Sequence, residues 1–165
     1  MIRPDLAIGT LALALCLTAC GEPSEPAAEK PARTETATEN AMQPAIPVRT
    51  ASPEGARVFF ITPANGDTVS NPIDVEFGIE AMTVTKAGDK QPDSGHHHLL
   101  IDTDLPDLGA PVPADANHVH FGDGSTRTEI TLEPGQHTLR LLLADYLHVP
   151  HDPPVVSDVI TITVE

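Results

Sequence analysis

The chain has 165 residues and a formal net charge of −15, with 24 Asp and Glu against 9 Lys and Arg. Acidity of this degree excludes nucleic acid and anionic lipid surfaces as electrostatic partners and favours cations. Two cysteines and three methionines stand against eight histidines, so imidazole is the most abundant nitrogen or sulfur ligand in the chain.

The first segment, MIRPDLAIGTLALALCLTAC, carries Arg3 and then an apolar run from Leu6 to Ala19. That run is shorter than the ~20 residues a spanning helix needs and has the form of a secretory signal peptide. Its end, LTAC, resembles the lipobox of bacterial lipoproteins. The resemblance implies cleavage after residue 19 and a covalent lipid on Cys20. With Gly21 next, it also implies anchoring at the periplasmic side of the outer membrane. The membrane is then a partner through the lipid. Cys16 leaves with the signal and Cys20 is consumed, so a thiolate metal site is excluded, blue copper included. Residues 20–55 are rich in Pro, Ala, Glu and Thr, with prolines at 23, 26, 31, 44, 47 and 53. Such a stretch cannot bury enough apolar surface to offset its ordering entropy, and it is expected to be a disordered tether.

Residues 56–165 read as strands. RVFFITP is an apolar run ended by Pro63, and ANGDTVSNP is turn chemistry. IDVEFGIE alternates, with Ile73, Val75, Phe77 and Ile79 on one face. HHHLLID and NHVHF follow, then TRTEITL, the turn EPGQ with Pro134 and Gly135, HTLRLLLAD and VVSDVITITVE. In the last, Ile160, Ile162 and Val164 share a face. Six to seven short strands and no convincing helix predict an all-β antiparallel sandwich. The stretches ITPANGDTVSNPIDVEFGI and LEPGQHTLRLLLAD resemble the opening strands and the E–F corner of immunoglobulin-like extracytoplasmic modules. The expected fold is therefore an immunoglobulin-like β-sandwich, an inference about shape and not about function.

All eight histidines fall between residues 96 and 151. They form HHH at 96–98, H-x-H at 118 and 120, a lone His137, and H-x-x-H at 148 and 151. Side chains alternate along a strand, so His96 and His98 share one face and His97 takes the other with Leu99 and Ile101. His118 and His120 likewise share a face. Two H-x-H pairs on neighbouring strands, with His148 or His151 from a proline-bounded loop, could hold copper or zinc. The candidate ligands are His96, His98, His118, His120, His148 and His151. Asp102, Asp104, Asp145 and Asp152 are candidates to orient their outward N–H groups. His97 and His137, in phase with apolar residues, are read as structural.

The blocks SGHHHLLIDTDLP, PADANHVHFGDG, LEPGQHTLRLLLAD and HVPHDPPVVSDVITITV resemble the family known as domain of unknown function 4399. That resemblance implies a fold and a set of characteristic histidines but no activity. The sequence holds no nucleophile elbow, phosphate loop or dinucleotide fingerprint. Two readings follow. In one, a tethered extracytoplasmic domain captures a transition metal for buffering or delivery. In the other, an immunoglobulin-like module meets a protein partner in the envelope and its histidines brace loops. A metal-dependent enzyme would need three ligands and an open position. Convergent imidazoles favour the first reading, and separately hydrogen-bonded ones the second.

Overall fold

The alternation in Ile73–Glu80 appears as a strand whose Ile73, Val75 and Phe77 are buried. The computed structural model describes residues 48–165. The expected signal peptide, Cys20 and the tether up to residue 47 lie outside the described residues. In chain order the strands are β1 (Arg57–Thr62), β2 (Thr68–Val69), β3 (Ile73–Glu80), β4 (Thr83–Val84), β5 (Ser94–Ile101), β6 (His118–His120), β7 (Arg127–Ile130), β8 (Gly135–Ala144) and β9 (Ile160–Val164). One sheet runs β1-β3-β7. The other runs β2-β9-β8-β5-β4, with β6 also paired to β5. Strands β1, β3 and β7 take the places of A, B and E in an immunoglobulin sandwich, and β5, β8 and β9 those of C, F and G. The fold is an all-β, immunoglobulin-like sandwich.

Two details differ from the sequence reading. The two-residue strands β2 and β4 were not expected, and both pair parallel, with β9 and β5 respectively. Two residues are too few to leave a period in the sequence. The EPGQ segment joins β7 of one sheet to β8 of the other. It is a corner between sheets, held where Asn71 donates to the Leu132 carbonyl at 2.7 Å and accepts from the Leu132 amide at 3.1 Å.

The main core lies between the sheets. It includes Val58, Val75, Phe77, Leu99, Leu141, Leu143 and Ile162. Residues of β5 and β8 enter it in register, His97 beside Leu143, Leu99 beside Leu141 and Ile101 beside Leu139. The opposite face of β5 is also covered. There Leu100, Leu142 and Ala144 pack with Val112, and with Leu105, Leu108 and Val156 at the margin. All eight residues of β5 are consequently buried. The HHH triplet thus has two environments, with His97 in the inter-sheet core and His96 and His98 on the opposite face, against the rings of His120 and His148.

The packed unit starts ahead of the expected boundary at Ala56. Ser52 donates to the Asp152 carbonyl at 3.1 Å, and the Asp152 amide donates to Thr50 at 2.9 Å. The Thr50 hydroxyl reaches Asp145 at 2.6 Å, and Arg49 donates to the carbonyls of Pro150 and His151. Residues 49–52 therefore form an arm along residues 150–152. Composition marks them as tether, but their backbone groups find partners far away in the chain, which composition does not register.

His97 meets the Phe77 ring at a 60° tilt with centroids 4.7 Å apart, is fully buried, and has neither ring nitrogen hydrogen-bonded. An apolar side chain of similar size removes the unmet polar groups along with the ring, a gain of about 1–3 kcal/mol. His97→Leu should therefore raise the urea midpoint of the metal-free protein and leave metal uptake unchanged. A lowered midpoint would show that the ring nitrogens are partnered in the folded state.

Candidate metal centre

β5 supplies the first two groups. Its pleat sends His96 and His98 to the outer face, where the cross-strand neighbours are Ala144 and Leu142. On the other flank, β6 pairs His120 with His98 and His118 with Leu100. Paired residues share a face, with Cβ atoms about 4.5–5.5 Å apart. His120 is therefore laid beside His98. One ring nitrogen from each of His96, His98 and His120 lies within 4.8 Å of the others, a group able to hold a metal ion.

His148 packs against this group from the connection between β8 and β9. Its ring centroid is 4.8 Å from His96, 4.8 Å from His120 and 6.1 Å from His98. The remaining separations are 4.9 Å for His96–His98, 5.0 Å for His96–His120 and 5.1 Å for His98–His120. His148 has φ +67°, a left-handed conformation that residues with a side chain seldom adopt. The turn that imposes it is fastened by the buried Asp145, whose Oδ1 accepts from the Leu147 and Val149 amides at 2.8 and 3.0 Å. Val112 in turn donates to the His148 carbonyl at 2.9 Å, joining the covering connection to the same turn.

The surroundings of His96, His98 and His120 favour their neutral forms. Burial, aided by His148 and His120, lowers His96 to about 4. Burial, aided by His96, His120, His148 and His118, lowers His98 to about 2. His120 is lowered by burial and then by His148, although it is exposed at the mouth. A neutral imidazole offers a lone pair, the form a metal needs. Both nitrogens of His96 and Nδ1 of His98 are buried with no hydrogen-bond partner. Leaving such a group unmet costs about 1–3 kcal/mol, which a ligand would relieve.

The other candidates stand apart from this quartet. His118 is on the same face, but its Nδ1 meets Asp115 at 2.8 Å and its buried Nε2 has no partner. The register sets it beside Leu100, two pairs along from His98. His151 is buried elsewhere, with its Nε2 close to Gly95. Its ionisation is lowered by burial and raised in part by Asp145 and the Thr50 and Ala51 carbonyls. It belongs with the arm, because the connection turns between His148 and His151. His137 Nδ1 meets Asp102 at 2.6 Å and its Nε2 meets the Glu133 carbonyl at 2.8 Å. Asp102 is thus engaged by His137 and does not orient a cluster ring. Asp152 is exposed and pairs with Arg49 at 3.4 Å. Asp104 is exposed, while Asp145 acts on His96 through its charge and on His148 through the turn.

Sequence reasoning missed Gly122. A Cβ there would lie 2.2 Å from Cε1 and 2.7 Å from Nε2 of His120. The ring of His120 occupies the space a side chain would take. The signal was a glycine two residues beyond a histidine in HVHFG, a spacing that brings the two close when the chain turns.

The fold and the cluster define an immunoglobulin-like sandwich with a histidine group that could hold a metal ion on the outer face of its larger sheet. Residues 75–165 match the family model described as a domain of unknown function (DUF4399), and the chain belongs to that family. The match spans every histidine of the chain. No curated protein and no solved structure matches the chain.

The buried imidazoles also set a pH dependence. His96, His97 and His98 have folded values below the unfolded ~6.5, so the unfolded chain binds more protons as pH falls through 6.5. Their contribution is complete above the unfolded value and is lost as pH falls toward the folded ones, at up to about 1.4 kcal/mol per pH unit for each ring. His137 has the opposite sign, because Asp102 and the Glu133 carbonyl raise it. His120 and His151 are lowered as well, so five rings outweigh one and the urea midpoint of the metal-free protein should fall between pH 7 and pH 5.5. A flat or rising midpoint over that window would contradict the neutral, buried assignment.

Proposed function

We propose that this protein is a lipid-anchored extracytoplasmic domain that binds a transition metal ion, copper or zinc, for buffering or delivery. The observation that carries the reading is the convergence of His96, His98 and His120, with His148 packed against His96 and His120, where His96 and His98 hold buried nitrogens that lack hydrogen-bond partners. His137 is braced at both ring nitrogens, by Asp102 at 2.6 Å and the Glu133 carbonyl at 2.8 Å, and His118 at Nδ1 by Asp115 at 2.8 Å, and neither joins the converging rings. The acidic chain favours approach of a cation to a site in which burial holds His96 and His98 neutral. Exposed His120 and half-buried His148 give the ion a way in and out, while His96 and His98 form a rigid floor.

Calorimetric titration of the full chain with Cu(II) and Zn(II) tests this beside the His96/His98/His120→Ala variant. Saturable one-site binding should be lost in the variant while its circular dichroism stays native. Gly122→Ala, which displaces His120, should weaken binding about 10–100-fold, the range seen when ligand-orienting groups are removed. Equal weak binding by all three proteins would return the histidines to a structural role and favour an envelope protein partner. The anchor is tested separately. Cys20→Ser should move the protein from the membrane fraction to the soluble periplasmic fraction, and an unchanged distribution would reject acylation at Cys20.

A further inference from the structure

The six separations among the four cluster rings bear on which coordination geometry the site imposes. Around a single ion with metal–nitrogen bonds of about 2.0–2.1 Å, each ring centroid sits about 3.2 Å from the metal. A tetrahedron then sets all six centroid separations at about 5.2 Å. A square plane sets four at about 4.5 Å and two, on opposite diagonals, at about 6.4 Å. The observed values are 4.8, 4.8, 4.9, 5.0, 5.1 and 6.1 Å. Only His98–His148 approaches a diagonal. Its opposite pair, His96–His120, would have to be equally long in a plane and is 5.0 Å. The square plane fails on that pair, whereas the tetrahedron needs one edge shortened by about 1 Å.

The elements explain why the rings are not coplanar. His96 and His98 are two residues apart on β5, so their Cα atoms are separated along the strand by about 6.6 Å. His120 lies beside them on β6, and His148 arrives from a turn outside the sheet. Three positions on one sheet face and a fourth outside it cannot form a plane without moving a strand. The edge that must shorten involves His148, which is carried by a turn rather than by a ladder.

Resting on the metal-binding reading, we infer that the cluster is a closed, four-imidazole tetrahedral site that favours zinc(II) coordination over the tetragonal coordination preferred by copper(II) and nickel(II). Thioether is absent from the cluster, since the one methionine among the described residues, Met82, packs in the inter-sheet core. Soft-ligand retention of copper(I) has no basis in this set. With four protein ligands the ion keeps no open position, so the site holds and releases metal and does not activate water at it.

The test is spectroscopic and uses the full chain loaded separately with Co(II), Zn(II) and Cu(II). Cobalt should show the intense visible d–d bands of a tetrahedral ion. Zinc X-ray absorption should give a four-nitrogen shell with four imidazoles, falling to three in His148→Ala. Copper(II) should give the narrowed parallel hyperfine splitting of a tetrahedrally distorted ion. Pale octahedral cobalt bands, a five- or six-atom zinc shell, or an ordinary tetragonal copper spectrum would overturn the tetrahedral assignment while leaving metal binding intact. An imidazole count unchanged in His148→Ala would overturn His148 as the fourth ligand. Absence of bound metal in all three preparations would overturn the metal-binding reading itself, and this inference with it.

Discussion

Burial of β5 on both faces is the constraint on which the rest depends. A strand in a sandwich ordinarily has one face in the core and the other toward water. Here the inner face carries His97, Leu99 and Ile101, and the outer face carries His96, His98 and Leu100. The connection from 102 to 117 covers the outer face with Val112 and, at its margin, Leu105 and Leu108. On the same face His96 and His98 are closed over by the rings of His120 and His148. Buried there, they lose water, stay neutral and keep lone pairs free, because burial disfavours their protonated forms.

Desolvation alone would make the cluster a liability. Three further features bring the rings together. The ladder with β6 fixes His120 beside His98. The absence of a side chain at Gly122 gives the His120 ring its place. Asp145 fastens the turn on which His148 adopts its left-handed backbone, a conformation that persists only where surrounding contacts over-determine it. Backbone strain, unmet buried nitrogens and ring convergence therefore coincide at one place. Departures of this kind from locally optimal structure collect at functional sites.

Asp145 has a second engagement. Its Oδ2 accepts from Thr50 of the arm, while Oδ1 serves the turn carrying His148. The arm lies along residues 150–152, where His151 is buried beside Gly95. His151 and His148 are only three residues apart but serve different parts of the structure. The proline-bounded connection changes direction between them, and the spacing H-x-x-H did not disclose it.

Much of the fold was legible in the sequence. Alternation in Ile73–Glu80 and Ile160–Val164 identified the core-facing residues, and turn chemistry marked most of the breaks, because both signals are local. Local alternation also separated His97 from His96 and His98, since the pleat has a period of two whatever surrounds the strand. Which of those faces would be covered, and by what, was decided by tertiary structure. So was the choice of His148 over His118 beside His96, His98 and His120. That choice depends on strand register and on the path of a turn, which bring together residues some 20 to 50 positions apart. The sequence by itself determined the ligand type, its concentration between residues 96 and 151 and the sandwich that carries it. Only the packed structure decided which imidazoles meet, because proximity across strands is a property of register and covering loops and leaves no period in the chain.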